Sequence, residues 1–223
     1  MRRFGALGCV AALVVVVLIF GGWYVSVRNS LVGLDEAVNR QWAQVESQYQ
    51  RRFDLIPNLV RTVQGAANFE KSTLIEVVNA RARVGQVQAG APAAGGPPTA
   101  SNLPNDPNAM AQYAAAQQGL SNALSRLLVV VERYPDLKSN QNFLELQSQL
   151  EGTENRIAVE RQKYNEEAQK YNTRIRQFPA SIVAGSKFPP KAYFRGAAGS
   201  NEAPSVNFDF GTGTGTTSTI GTR

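Results

Sequence analysis

The side chains in this sequence with a claim to chemistry are a few carboxylates and arginines set beside apolar stripes. Arg51, Arg52 and Asp54 lie in YQRRFDLIPNLVRTV, Tyr49 to Val63, where a proline also interrupts an otherwise helical run. Glu70 opens the next helical segment, and Glu154 and Arg161 lie on or beside the apolar face of a later one. Seven residues separate Glu154 from Arg161, which places them on one helix face two turns apart. Carboxylates gathered between helices could carry acid–base work or hold a cation. The competing arrangement is a partly buried ion-pair layer that fixes helix register. The layer is expected here, because every acid has an arginine to pair with and the pattern shows no cleft. Arg52 is then expected to bond Glu154 or Glu70. A carboxylate-only hydrolase would instead need Glu70 and Glu154 within about 5–10 Å of each other across a cleft.

The remaining composition narrows the chemistry further. The 223 residues contain no histidine, which removes Ser-His-Asp and Cys-His catalysis, HExxH zinc sites and the Glu-x-x-His ligands of di-iron bundles. Cys9 is the only cysteine, so neither an intrachain disulfide nor a thiolate zinc site can form. No cofactor or metal is expected. The formal net charge is +6 and the pI about 9.7, but the basic residues are interspersed with acids along helices, as on solvated faces. No RNP-like motif, zinc-finger spacing or dense basic block points to nucleic acid.

These groups are positioned by helices, the first of which is apolar throughout. From Phe4 to Val27, FGALGCVAALVVVVLIFGGWYVSV carries no charge. As a helix it would span about 36 Å, against a hydrocarbon core of about 30 Å. Arg2 and Arg3 precede it, Arg28 follows it, and Trp23 and Tyr24 fall where an interfacial aromatic belt belongs. A cleaved signal peptide would have a shorter core and an A-x-A-like site, which the exit GGWYVSVR lacks. A lipoprotein reading of Cys9 fails because the apolar run follows the cysteine. The segment 4–27 is therefore expected to be an uncleaved single-pass anchor behind a short basic stretch, 1–3. Arg28 and Arg40 are diluted by Asp35 and Glu36, whereas Arg2 and Arg3 are not, so the body is expected on the extracytoplasmic side. Arg51 lies about 36 Å of helix beyond Val27, well outside the roughly 8 Å reach of a membrane's surface potential. Arg51 and Arg52 are thus not expected to grip lipid phosphates.

After the anchor, Leu31, Leu34, Val38, Trp42, Val45, Tyr49, Ile56, Val60, Val63 and Ala67 recur at three- and four-residue steps, the stripe of an amphipathic helix. Pro57 cannot bond the carbonyl of Phe53, so a kink is expected there, with the helix ending near Gly65 and Asn68 capping the next. That second helix carries Phe69, Leu74, Val77, Val78 and Val84 and ends near Val87. Residues 89–108, rich in Gly, Pro and Ala, read as a flexible connection, with Asp106-Pro107 as a helix start. The third helix uses Met110, Tyr113, Leu120, Leu124, Leu127, Leu128 and Val131 and stops at Tyr134, before Pro135. Ser139 can cap the fourth, whose stripe runs from Phe143 through Leu150, Ile157, Tyr164 and Tyr171 to Phe178, before Pro179. The two Tyr-Asn pairs, 164–165 and 171–172, place both tyrosines on this stripe, as core residues with hydroxyls at the rim rather than as a binding ladder. The fold class expected is all-α, a transmembrane helix followed by an antiparallel, up-and-down four-helix bundle of two long and two shorter helices. An extended segment with Phe188, Tyr193 and Phe194 would lie along the bundle. Residues 197–223, ending in GTGTGTTSTIGTR, form a low-complexity tail.

RRFDLIPNLVRTVQG (Arg51 to Gly65), EKSTLIEVVNAR (Glu70 to Arg81), ERYPDLKSNQNFLELQSQLEGTEN (Glu132 to Asn155), the two Tyr-Asn pairs, and NSLVGLDEAV directly after the anchor resemble the LemA family. One departure is Asn68-Phe69-Glu70, where many relatives have a histidine before the glutamate. The resemblance implies a bacterial, single-pass inner-membrane protein with a helical-bundle body over 29–196, and no settled activity. It implies association with other envelope membrane proteins, such as a protease or a TPM-domain protein. Together these readings lead to a non-enzymatic scaffold or adaptor that binds protein partners and can self-associate. A membrane-shaping protein that assembles on the bilayer is the alternative.

Overall fold

A computed structural model describes residues 2–65, 69–88 and 100–195, with side chains over 12–65, 69–87 and 103–195. Its first element, α1 (Arg2–Gln64), is one uninterrupted helix of 63 residues, about 95 Å long at 1.5 Å per residue. From Ala12 to Ser26 every side chain is exposed; from Val27 to Val63 the stripe named above is buried, Leu34 only in part. One helix thus carries both the apolar run and the first face of the body. The change falls at Val27, where the charge-free run stops and the three–four periodicity begins.

The helix passes through Pro57. A proline in a helix interior leaves the carbonyl four residues earlier without its usual donor. Here Arg81 Nε, from the next helix, donates to that carbonyl of Phe53 at 3.4 Å, and the Arg81 guanidinium lies 3.7 Å from the centroid of the Phe53 ring. The residue that breaks the ladder and the residue that covers the break thus come from two of the sequence motifs named above.

The expected end near Gly65 is observed, and Gly65 N–H closes the last turn on the Arg61 carbonyl. The expected cap, Asn68, and Ala67 lie outside the described residues. Helix α2 (Lys71–Gln88) follows. Part of the connection expected to be flexible is instead structured: Ala100–Asn105 form a 3-10 helix, and Leu103 is buried in the core. Helix α3 (Pro107–Val131) starts where the Asp-Pro signal put it, with Asp106 accepting from the N–H groups of Asn108 and Ala109. A four-residue helix, α4 (Pro135–Lys138), was not anticipated, and Ser139 ends it. Asn140, not Ser139, caps α5 (Gln141–Arg176), because its Oδ1 accepts from Asn142 and Phe143 N–H. A short α6 (Ala180–Ala184) leads through turns at 185–188 into a strap without regular secondary structure, 189–195.

The described residues hold helices and no strand, so the all-α expectation holds. Helix α1 lies along α5 and α2 along α3. Both pairs run antiparallel: Arg126 bonds Glu76 while Arg133 bonds Glu70, and Trp42 meets Tyr164 while Leu31 shares a core with Ile175. Two members of the expected stripes face solvent: Val78, 48% exposed, and Phe178, 80% exposed beyond the end of α5. The tail, 197–223, lies outside the described residues.

The interior divides into two apolar cores. The first joins Val27 to Tyr49 of α1 with Met110 and Tyr113, Ile157 to Ile175 of α5, α6, and Ala192 and Phe194 of the strap. The second joins Ile56 to Val63 with α2, Leu120 to Val131 of α3, Leu137, and Phe143 and Leu150 of α5. Between the two, α1, α3 and α5 turn Arg52, Gln117 and Thr153 inward, and these buried polar residues collect at one level.

Candidate functional site

Arg52 sits at this level and is 1% exposed. Its Nη1 donates to Glu154 Oε1 at 2.5 Å and to Ser121 Oγ at 2.7 Å. Its Nη2 donates to the Gln117 side-chain oxygen and, at 3.4 Å, to the Gln117 carbonyl. The Tyr49 ring stands 5.2 Å from the guanidinium carbon, and Thr153 Oγ1 in the same layer bonds back to the Gln149 carbonyl. Three helices thus each contribute at one level: Arg52 from α1, Gln117 and Ser121 from α3, Thr153 and Glu154 from α5. Burial raises the pKa of the neighbouring Tyr49 hydroxyl, opposed by the charges of Arg161 and Arg52. The Glu154 side chain is 38% exposed, so the layer reaches solvent on its acidic side.

Of the residues singled out by sequence, only Arg52 and Glu154 meet. Arg51 is exposed, and Asp54 is an exposed acceptor for Gln50 Nε2 at 2.8 Å. Glu70 pairs with Arg133 at 3.4 Å on the surface. Because Arg133 follows the end of α3 and Ser121 lies at the layer, Glu70 and Glu154 are separated by about 18 Å of helix rise, too far to act as one catalytic pair. Arg161 belongs to a second polar assembly: its guanidinium lies 4.7 Å from the Phe194 ring centroid and donates to the Arg195 carbonyl at 3.4 Å.

That second assembly is a clamp on the strap. Asn165 donates from Nδ2 to the Phe194 carbonyl and accepts the Phe194 N–H, each at 2.9 Å. Asn172 repeats the pair on Lys191, at 2.9 and 2.8 Å. The hydroxyls of Tyr164 and Tyr171 donate to the carbonyls of Ala192 and Pro189 at 2.9 and 3.1 Å. Seven helical residues rise about 10.5 Å, and three extended residues cover about 10 Å, so the heptad spacing of the Tyr-Asn pairs matches the strap. The tyrosines are core residues, as expected; the use of their hydroxyls and of the asparagines was not foreseen. Burial raises the pKa of both hydroxyls, that of Tyr171 to about 12. Lys191 is buried beneath the strap, with Nζ 2.6 Å from Asp35 Oδ1, 2.9 Å from Asn105 Oδ1 and 5.4 Å from the Tyr171 ring centroid.

The signal for Gln117 was present in the sequence. Met110, Gln117, Leu124 and Val131 form one seven-residue series, and Leu31, Val38, Val45, Arg52 and Leu59 form another. Each contains one polar member, and the structure brings the two together.

Fold and sites together define a predominantly helical body continuous with one helix long and apolar enough to cross a membrane. The LemA family model matches residues 41–208, and the chain belongs to the LemA family. Among proteins similar to it, Magnetosome protein MamQ 2 of Paramagnetospirillum magneticum is 30% identical over 198 residues, covering 82% of this chain and 71% of that one. Magnetosome protein MamQ of Magnetospirillum gryphiswaldense is 29% identical, over 70% of this chain and 60% of its own. Protein LemA of Metamycoplasma hominis is 22% identical, over 72% and 65%. Phe69, of the Asn68-Phe69-Glu70 stretch, is a core residue whose ring centroid lies 4.9 Å from that of Tyr134.

Proposed function

We propose that this protein is a membrane-tethered, non-enzymatic scaffold that presents a rigid helical body to protein partners in the bacterial envelope. The observation that carries the reading is the single helix α1, which runs from the apolar segment into the body with no loop between them. A tether of this kind fixes the attitude of the body relative to the bilayer, which suits a scaffold. The buried arginine and lysine are both engaged by acids, the arrangement of an architectural layer rather than of a poised acid or base. The relatives named magnetosome proteins are called after a cellular structure and not after a reaction, which agrees with this reading. The partners are other envelope membrane proteins, a protease or a TPM-domain protein among them, and further copies of the same chain. The body lies outside the inner membrane, because Arg2 and Arg3 hold the other end in the cytoplasm.

Photo-crosslinking of full-length protein in intact cells tests the scaffold reading. Discrete crosslinked species, homo- or hetero-oligomeric, are expected, and recovery of monomer alone from every position would overturn it. Protease digestion of the C-terminal tail in intact against permeabilised cells tests the side of the membrane.

A further inference from the structure

Helix α6 and the corner before it leave two large apolar side chains uncovered: Phe178 is 80% and Ile182 71% exposed. Their place in the fold is what matters. Val27, the last residue of the apolar run, shares a core with Ala180, Val183 and Ala184 of α6. The body therefore begins to pack at the level where α1 leaves the apolar segment, one turn beyond Trp23 and Tyr24. The charges at this end are of one sign. No Asp or Glu occurs from Ala168 to Arg195, nor from Arg28 to Leu34. Arg28, Arg174, Arg176 and Lys187 have no salt-bridge partner among the described residues, and Asp35, the nearest acid on α1, is taken by Lys191. Exposed apolar side chains ringed by unpaired cations, at the level of a membrane exit, match the interface of a bilayer with its apolar acyl boundary and phosphate surface.

We infer that the α5–α6 corner is a second membrane contact, with Phe178 and Ile182 seated in the headgroup–acyl boundary and Arg28, Arg174, Arg176 and Lys187 on lipid phosphates. The apolar run is about 36 Å long against about 30 Å of hydrocarbon, so its last turn lies among headgroups, where α6 packs on it. The contact would hold the body down on the surface instead of letting it stand off on a single rod.

The inference rests on the tethered reading, and the experiment separates the two. Nitroxide labels are placed singly at Leu18→Cys, Ile182→Cys, Phe178→Cys and Val159→Cys in the full chain carrying Cys9→Ser. The protein is reconstituted in vesicles of phosphatidylcholine with phosphatidylglycerol. Collisional accessibility to oxygen and to a nickel chelate then reports depth. The expected result is lipid exposure at 18, shallow lipid exposure with loss of nickel access at 178 and 182, and water at 159. Adding Arg174→Gln, Arg176→Gln and Lys187→Gln should restore nickel access at 182. The surface-bound population is expected to fall about fivefold for each charge removed. Lipid at 18 with water at 178 and 182 would overturn the second contact and leave the tether standing. Water at 18 would overturn both. Spin–spin broadening at 178 or 182, abolished by unlabelled protein, would assign the patch to a second copy and overturn the lipid assignment.

Discussion

Arg52→Ala should unfold the body about 3 kcal/mol more easily, which follows from what the side chain leaves behind. Removing one partner of a buried ion pair typically costs roughly 3–5 kcal/mol. Glu154 keeps 38% of its side-chain surface in water and can be rehydrated, which moves the value to the lower end of that range. Gln117 is 4% exposed and cannot; an unsatisfied buried polar group costs about 1–3 kcal/mol. At the roughly 2–4 °C per kcal/mol typical of a chain this size, the midpoint should fall by about 6–12 °C. The assay is thermal unfolding of full-length protein in detergent, followed by circular dichroism at 222 nm. Glu154→Gln should cost less, about 1 kcal/mol, because the lost charge is partly in solvent. Replacing the group together, Arg52→Leu with Glu154→Leu and Gln117→Leu, should recover most of the loss, since apolar substitutes for buried ion pairs are often neutral or stabilising. An Arg52→Ala midpoint within about 1 °C of the parent would refute the layer's energetic role. A triple variant no better than Arg52→Ala would show that lost packing, not stranded polarity, sets the cost.

The clamp predicts that Asn172→Ala, which strands the buried Lys191 N–H and carbonyl, costs about 2–3 kcal/mol; trypsin should then cut at Lys187 or Lys191 while α5 stays intact, and unchanged strap protection would count against it. Alkaline titration should release the same strap. The Tyr164 and Tyr171 pKa values are raised in the fold, Tyr171's to about 12, so the protonated hydroxyl is the form the fold favours; that contribution is whole below about pH 10 and lost as pH rises through the folded value. Absorbance at 295 nm should therefore show these tyrosines ionising together with the loss of helix signal, and ionisation of every tyrosine in a still-folded chain would contradict it. Finally, if Arg81 serves the carbonyl that Pro57 frees, Arg81→Ala should cost about 1 kcal/mol less in a Pro57→Ala background than in the parent. An additive double-mutant cycle would leave only the stacking of Arg81 on Phe53.

What the sequence made legible was whatever repeats along a helix. The stripes of α1, α3 and α5, the Asp106-Pro107 start and the stop at Gly65 follow from periodicity and capping chemistry, which act within a few residues. Arg52 with Glu154 was also readable, as one of two pairings. Glu70 and Arg161 were misplaced by the same reasoning, because one-dimensional spacing says which face a residue is on and not which level of another helix it meets. Leu103 and α6 are short and embedded in turn-rich sequence; their burial is decided by tertiary packing that no local pattern reports. Ser139 and Asn140 are adjacent candidates for one cap, and the choice rests on α4, itself too short to register.

The two long seams need such polar devices because their apolar pattern is too regular to specify a register alone. On α5, Phe143, Leu150, Ile157, Tyr164 and Tyr171 repeat every seven residues; on α1, so do Trp42, Tyr49, Ile56 and Val63. Sliding one helix past the other by a heptad, about 10.5 Å, would again set apolar rows against each other. Arg52 and Gln117 break the degeneracy, each being the one polar member of its seven-residue series. A slipped α1 would bury Arg52 among aliphatic residues with no acceptor, at a cost of several kcal/mol, and would carry Phe53 away from Arg81. The strap adds a second constraint. Asn172 and Asn165 could trade places along a heptad, but Lys191 reaches Asp35 of α1 only in the observed alignment. Because α1 is continuous with the apolar segment, fixing its register against α5 also fixes the height of α6 relative to the membrane exit. A polar layer deep in the body thereby determines whether Phe178 and Ile182 meet lipid or water.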